Sequence, residues 1–276
     1  MNRKLFCLAV AVVVVGTICL STYLASAGPP GPFDKPPGFE NGNQSEQAEE
    51  AIDIHKPITP GGQYERLVLV HHAKPPWAGK PDKEEPEEPD NDAYELLGLE
   101  WVVPEGGVPY EIDPDHAPEG SVAEIEAAFE AWDDATSTEL FDDDVIVDSS
   151  VAPSVNSPDG VNTVSWRRIV PPRVIAATFI WYYSETGEMV DCDVVMNTKH
   201  DWGIDTDGEG ENDVLEDAFD VCNIVTHEAG HVVGLADLYD DIYSELTMYG
   251  YSSEGETKKI SLENGDVLGC QSLYGE

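Results

Sequence analysis

From His227 to Asp237 the chain reads HEAGHVVGLAD. His227 and His231 are four residues apart, so on a helix they lie on one face, one turn apart, and can hold a single ion. Glu228 directly follows the first of them. Its carboxylate then sits beside the ion without being a ligand, where a general base for a metal-bound water has to be. The opposite face, with Cys222, Val225, Ala229, Val232 and Val233, is apolar and reads as the core side. Gly234 can stop the helix and turn the chain through a backbone shape that a Cβ resists. Asp237 can then come round to the ion. Two histidines and one carboxylate leave a fourth position for water, the arrangement a catalytic zinc requires. Asp240 and Asp241 follow closely and compete for the same role.

Elements that could position these groups begin after Tyr94. GVPYEID reads as a strand, and SVAEIEAAFEAWDDA as a helix with Ile125, Ala128, Phe129 and Trp132 on one face. Ser121 and Glu124 have the spacing of a capping box at its start. Strand candidates follow around residues 145–147 and 162–169. VIAATFIWYY, a SETGE turn and MVDCDVVMN read as a hairpin. The metal-binding helix comes next, then a loop around Met248 and a short helix in SLENGDVLGCQSLYG. No internal repeat interrupts this order. It describes one domain of about 180 residues, large enough to sustain its own core.

The pattern H-E-x-x-H-x-x-G-x-x-D, with Met248 following in ELTMYGY, resembles that of the metzincin metalloproteases. GVPYEID, AATFIWYYSETGEMVDCDVVMN and GDVLGCQSLYG make residues 94–275 similar to a matrixin-type catalytic domain. An aspartate as third ligand resembles snapalysin-like and archaeal matrixin-like members, where the animal enzymes use histidine. The resemblance implies an α+β fold, a twisted five-stranded mixed sheet with two long helices and a C-terminal helix. It implies one catalytic zinc held by His227, His231 and Asp237, with Glu228 as general base and Met248 as an apolar floor. Such a domain is a zinc endopeptidase acting on a protein or peptide substrate, and a monomer is expected. Its edge strand, residues 175–183 with Ile175, Ala176, Ala177 and Thr178, would bind an extended peptide by strand addition. Tyr249 falls in the Met-turn and is not expected as a ligand.

Two departures from that family stand out. No cysteine occurs between Gly28 and Asp191, so the cysteine that silences matrixin zymogens is missing. If the segment before the domain inhibits, it must use something else, for instance His71 or His72. That pair lacks the spacing of a ligand cluster and reads as inert. No His-rich loop for a second, structural zinc is present either.

DTDGEGENDVLE raises the expectation of calcium. Asp205, Asp207, Glu209, Gly210, Asp213 and Glu216 match ligand and turn positions of an EF-hand-like loop. Glu209 and Asn212 depart from the usual residues, and the flanking helices are not evident, so a solvated acidic loop is the alternative.

The chain opens with Arg3 and Lys4, a long apolar run and an Ala25-Ser26-Ala27 site, the layout of a secretory signal peptide over residues 1–27. An uncleaved anchor is the alternative and the only membrane contact expected, because the run is short against the about 20 residues a span needs. Either way the protein is expected to be secreted or held at the outer cell surface. Residues 28–93 are rich in Pro, Glu, Gly and Asn and read as a linker or pro-segment. The apolar patch YERLVLVHHAKPPW interrupts them as a strand that could dock on the domain of residues 94–276. A net charge of -41 repels phosphate and excludes nucleic acid as a partner, while suiting a soluble protein in high salt. Cys192, Cys222 and Cys270 allow one disulfide and a spare thiol, or three buried apolar side chains. The rival to an enzyme is a non-catalytic cation-binding module of the cell surface. Glu228 counts against it, since a structural zinc takes four ligands and no base.

Overall fold

A computed structural model describes residues 51–54, 62–75, 90–171, 173–204 and 217–276. The signal segment 1–27 and the acidic loop with Asp205, Asp207, Glu209, Asp213 and Glu216 lie outside the described residues. In chain order the elements are β1 (Ile52–Asp53), β2 (Tyr64–Ala73), β3 (Tyr110–Ile112), α1 (Ser121–Asp133), β4 (Ile146–Val147), β5 (Asn162–Arg167) and β6 (Ile169–Val170). Then come β7 (Val174–Tyr183), β8 (Met189–Asn197), β9 (Trp202–Gly203), β10 (Phe219–Asp220), α2 (Val221–Val233), β11 (Tyr251–Ser252) and α3 (Asn264–Tyr274). All of them fall within one unit, residues 47–276. The class is α+β, as expected.

The main sheet runs β11-β2-β7-β8-β5-β3-β4. Its five strands from β4 to β7 correspond to the expected sheet, parallel except for β7, which is antiparallel to β8. Two more strands extend it. β2 lies antiparallel along β7, with Tyr64 opposite Tyr183 and His71 opposite Ala176, and β11 pairs with β2 in parallel. The expectation of an open edge at residues 175–183 is therefore corrected: β7 is an interior strand. An uncovered strand presents a row of unpaired N–H and C=O groups, and here the apolar YERLVLV run satisfies them. The docking expected of that patch is what the fold shows.

Helices α1 and α2 pack together on one face of the sheet. Ile125, Ala128, Phe129 and Trp132 are buried there as their spacing requires, and the Trp132 indole donates to the Thr226 carbonyl at 2.9 Å. A smaller apolar cluster, with Ile54, Ile169, Val174, Ala177, Phe179 and Val195, forms separately from the main core. β7 is buried from Val174 to Trp181, which explains why its sequence is a continuous apolar run rather than an alternating one.

The capping box expected at Ser121 does not form. Gly120 takes the cap position with φ 97°, no side chain caps the helix, and the Ser121 hydroxyl donates to the Pro118 carbonyl at 2.8 Å. A Cβ on Gly120 would meet Ile204 at 2.7 Å, so glycine suits the place on both counts. All three cysteines of the domain, Cys192, Cys222 and Cys270, are buried and unpaired. The expected alternative of a disulfide is not realised.

Candidate active site

α2 carries the metal-binding motif because both of its ends are specified. The Asp220 side chain accepts from the Asn223 N–H at 2.6 Å and caps the start. Gly234 ends the helix at φ 119°, its N–H on the carbonyls of Gly230 and His231, and a Cβ there would lie 2.6 Å from the Leu99 carbonyl oxygen. Every residue of α2 is buried, including the face with His227, Glu228 and His231.

Each histidine spends one ring nitrogen on the backbone. His227 Nδ1 lies 2.7 Å from the Thr247 carbonyl oxygen, and His231 Nδ1 lies 2.9 Å from that of Leu235. A carbonyl only accepts, so both Nδ1 atoms are protonated, and in the neutral imidazole that tautomer leaves the Nε2 lone pair free for a cation. Burial keeps His227 neutral, pushing it down to about 3. The bend after Gly234 brings Asp237 Oδ1 to 3.1 Å from His227 Nε2 and 3.6 Å from His231 Nε2.

Although near enough to count as ion pairs, these contacts lack a proton to share. All three atoms are buried without a hydrogen-bond partner. Three acceptors facing one another are stable only around a cation. Tetrahedral ligands bound at about 2.0–2.1 Å would stand about 3.3 Å apart, and the two observed separations bracket that spacing. The donor set, two imidazoles and one carboxylate, suits zinc.

Glu228 is fully buried, and burial raises its pKa to about 8. Thr178 Oγ1 donates to its Oε2 at 2.6 Å, while Oε1 faces His71 Nδ1 at 3.2 Å. The His71 ring lies against that of His227, centroids 3.9 Å apart, and its Nε2 is 3.4 Å from Lys259 Nζ. Burial holds His71 neutral. The Lys259 ammonium also donates to the Tyr249 carbonyl. Met248 is buried, and a Cβ on Gly230 would run into its sulfur and into Trp132. Asp266 holds this turn by accepting from the N–H groups of Thr247 and Met248 at 2.9 and 3.2 Å.

Of the residues expected at the site, His227, Glu228, His231, Asp237 and Met248 converge. Asp240 and Asp241 are exposed, and Asp241 accepts from the Tyr249 hydroxyl at 2.6 Å, so that tyrosine points away from the ion's place. Thr178 was expected to offer its backbone to a substrate, and its side chain instead orients Glu228. His71, read as inert, is corrected to a contact of the site. Lys259 and Asp266 went unnoticed, and only their burial in three dimensions marks them.

Residues 169–275 match the family described as Matrixin, of the M10 peptidases. The stretch from β6 through α3 is thus part of a matrixin-like metzincin catalytic domain, and the activity it carries is that of a zinc-dependent metalloendopeptidase acting on protein or peptide substrates. No curated protein matches the chain.

Proposed function

We propose that the chain is an exported, monomeric zinc endopeptidase in which His227, His231 and Asp237 hold the ion and Glu228 is the general base. The observation carrying this reading is the trio of buried, partnerless acceptor atoms on those three residues beside a buried carboxylate. A zinc ion held there would supply Lewis acidity, which lowers the pKa of a bound water from 15.7 towards about 7. The protein does the rest. Thr178 fixes Glu228 Oε2, so that Oε1 is the atom able to take a proton from the attacking water and pass it to the leaving amine. The Nδ1 bonds to Thr247 and Leu235 keep both imidazoles in the ligating tautomer.

Export rests on the apolar run and small-residue site of residues 1–27. Calcium at residues 205–216 rests on spacing alone. Among the described residues no helix is long and apolar enough to cross a membrane.

Glu228→Gln tests the mechanism, compared with the parent under conditions in which the parent cleaves an unfolded protein. The variant should keep about one zinc per chain and lose about 10²- to 10⁴-fold in turnover, the usual worth of a general base. Near-parental turnover would remove the assignment.

A further inference from the structure

The strand that covers the site is not a random neighbour. β2 is hydrogen-bonded along β7 on one side, and on the other it meets β11 just past Met248, with His72 opposite Tyr251 and Ala73 opposite Ser252. The Lys74 N–H continues this contact to the Ser252 carbonyl at 2.8 Å. These two rims flank Glu228, because β7 contributes Thr178 to it and β11 follows the Met248 turn. A peptide binding across Glu228 by strand addition needs the same N–H and C=O groups. Each backbone group pairs once along such a ladder, so β2 and a substrate exclude one another.

Its side chains are fitted to the place as well. Leu67 and Leu69 pack on the main core, and Val68 and Val70 on the smaller cluster. The β2–β7 register shifts between His71 and His72, an irregularity of the kind that re-aims a side chain. His71 is fully buried against His227. Its hydrogen bonds define its tautomer: an ammonium only donates, so Nε2 accepts from Lys259, and Nδ1–H is left to donate to Glu228 Oε1. Among the described residues Lys259 has no carboxylate within ion-pair distance, and its partners are His71, the Tyr249 carbonyl and the Tyr249 ring. A buried ammonium set to meet the imidazole is a receptor for it.

We propose that β2 is a built-in inhibitory strand, which keeps the enzyme latent by filling the peptide-binding edge of β7 and locking Glu228 with His71. This rests on the reading of Glu228 as the base. Activity then appears only when β2 leaves. The strand does the work for which this chain has no cysteine.

The test uses the full chain, zinc-loaded, with a recognition sequence for an unrelated site-specific protease placed within residues 76–89. Before the cut, the chain should neither bind a dye-labelled synthetic peptide of residues 62–75 nor cleave an unfolded protein. After the cut and removal of the fragment, it should bind the peptide, followed by fluorescence anisotropy, and cleave the protein. Excess peptide should suppress that cleavage. The same peptide with His71→Ala should bind about tenfold more weakly, the scale of a hydrogen bond to a charged group. An uncut chain as active as the cut one would overturn the proposal, as would equal binding of the two peptides. A cut chain that unfolds once the fragment is removed would make β2 part of the core instead of a detachable inhibitor, and would overturn it too. His71-dependent binding without any hydrolysis would support the docked strand while refuting the peptidase reading.

Discussion

Asp237 Oδ1 lies 3.1 Å from His227 Nε2, both atoms buried without a hydrogen-bond partner, and this pair decides which aspartate holds the ion. Asp237→Ala should abolish stoichiometric zinc binding and activity together, because it removes one of three protein ligands. Asp240→Ala and Asp241→Ala should do neither, since both are exposed and Asp241 is engaged by Tyr249. Asp237→His should retain zinc and let the bound water ionise at lower pH, one negative charge having been removed. Zinc content by metal analysis checks all four variants, and full zinc in Asp237→Ala would overturn the assignment.

Thr178 makes a prediction separable from that one. Thr178→Val keeps the shape of the side chain and takes away the donor to Glu228 Oε2. Zinc should stay bound, KM should change little, and kcat should fall about tenfold, the scale of a hydrogen bond to a charged group. That bond lowers the pKa of Glu228 against the push of burial. Losing it raises the pKa, so the acid limb of the kcat profile should move to higher pH. Rescue by Thr178→Ser with the parental limb would mark a positioning role, and an unshifted limb in Thr178→Val would refute it.

Gly230 carries a packing prediction. It stands between His227 and His231, and a Cβ there would collide with the Met248 sulfur and Trp132. Gly230→Ala should therefore destabilise by about 1–3 kcal/mol, in the range of overpacked cores, despite alanine's better helix propensity. Reversal of that loss by Met248→Ala in the same chain would confirm the collision. A rise in Tm for Gly230→Ala alone would exclude it.

These residues also show where local pattern suffices. The helix of His227 and His231, its end at Gly234 and the return of Asp237 all follow from spacing within one turn and one bend, so they could be read directly. The five strands from β4 to β7 were likewise marked by apolar runs between turns. What escaped depends on contacts between distant segments. Tyr64 pairs with Tyr183 and His71 reaches Glu228, and nothing near either residue encodes the partner. Two adjacent histidines in a Pro-rich stretch lack ligand spacing, which is why His71 read as inert. Lys259 looks like a solvated lysine until burial shows otherwise. At Ser121 the side chains promised a cap, but the left-handed backbone of Gly120 took the position instead.

The last prediction concerns two acids away from the candidate metal site. Asp191 and Asp193 are both buried, on β8. Burial, with Asp191 adding to it, raises Asp193 from the ordinary 3.8 to about 8. Burial also raises Asp191 to about 6, against hydrogen bonds from the Gly160 and Asp159 N–H groups. Between the ordinary and the raised values the folded state binds more protons than the unfolded chain. Stability should therefore be fully supported below about pH 4 and decline as pH rises through about 6 and then about 8. Asp193→Asn removes the larger part of that slope without losing its contacts. The amide oxygen can accept from the Ser154 N–H and its nitrogen can donate to Thr163 Oγ1, where the carboxylate now accepts from both at 2.7 and 2.5 Å. Melting the parent and the variant from pH 4 to pH 9 checks this. The variant should be the more stable of the two above pH 8, each ~1 kcal/mol appearing as roughly 2–4 °C in Tm for a domain of this size. Parallel curves across that range would mean that Asp193 is ionised in the fold and that its neighbours, not protonation, stabilise it.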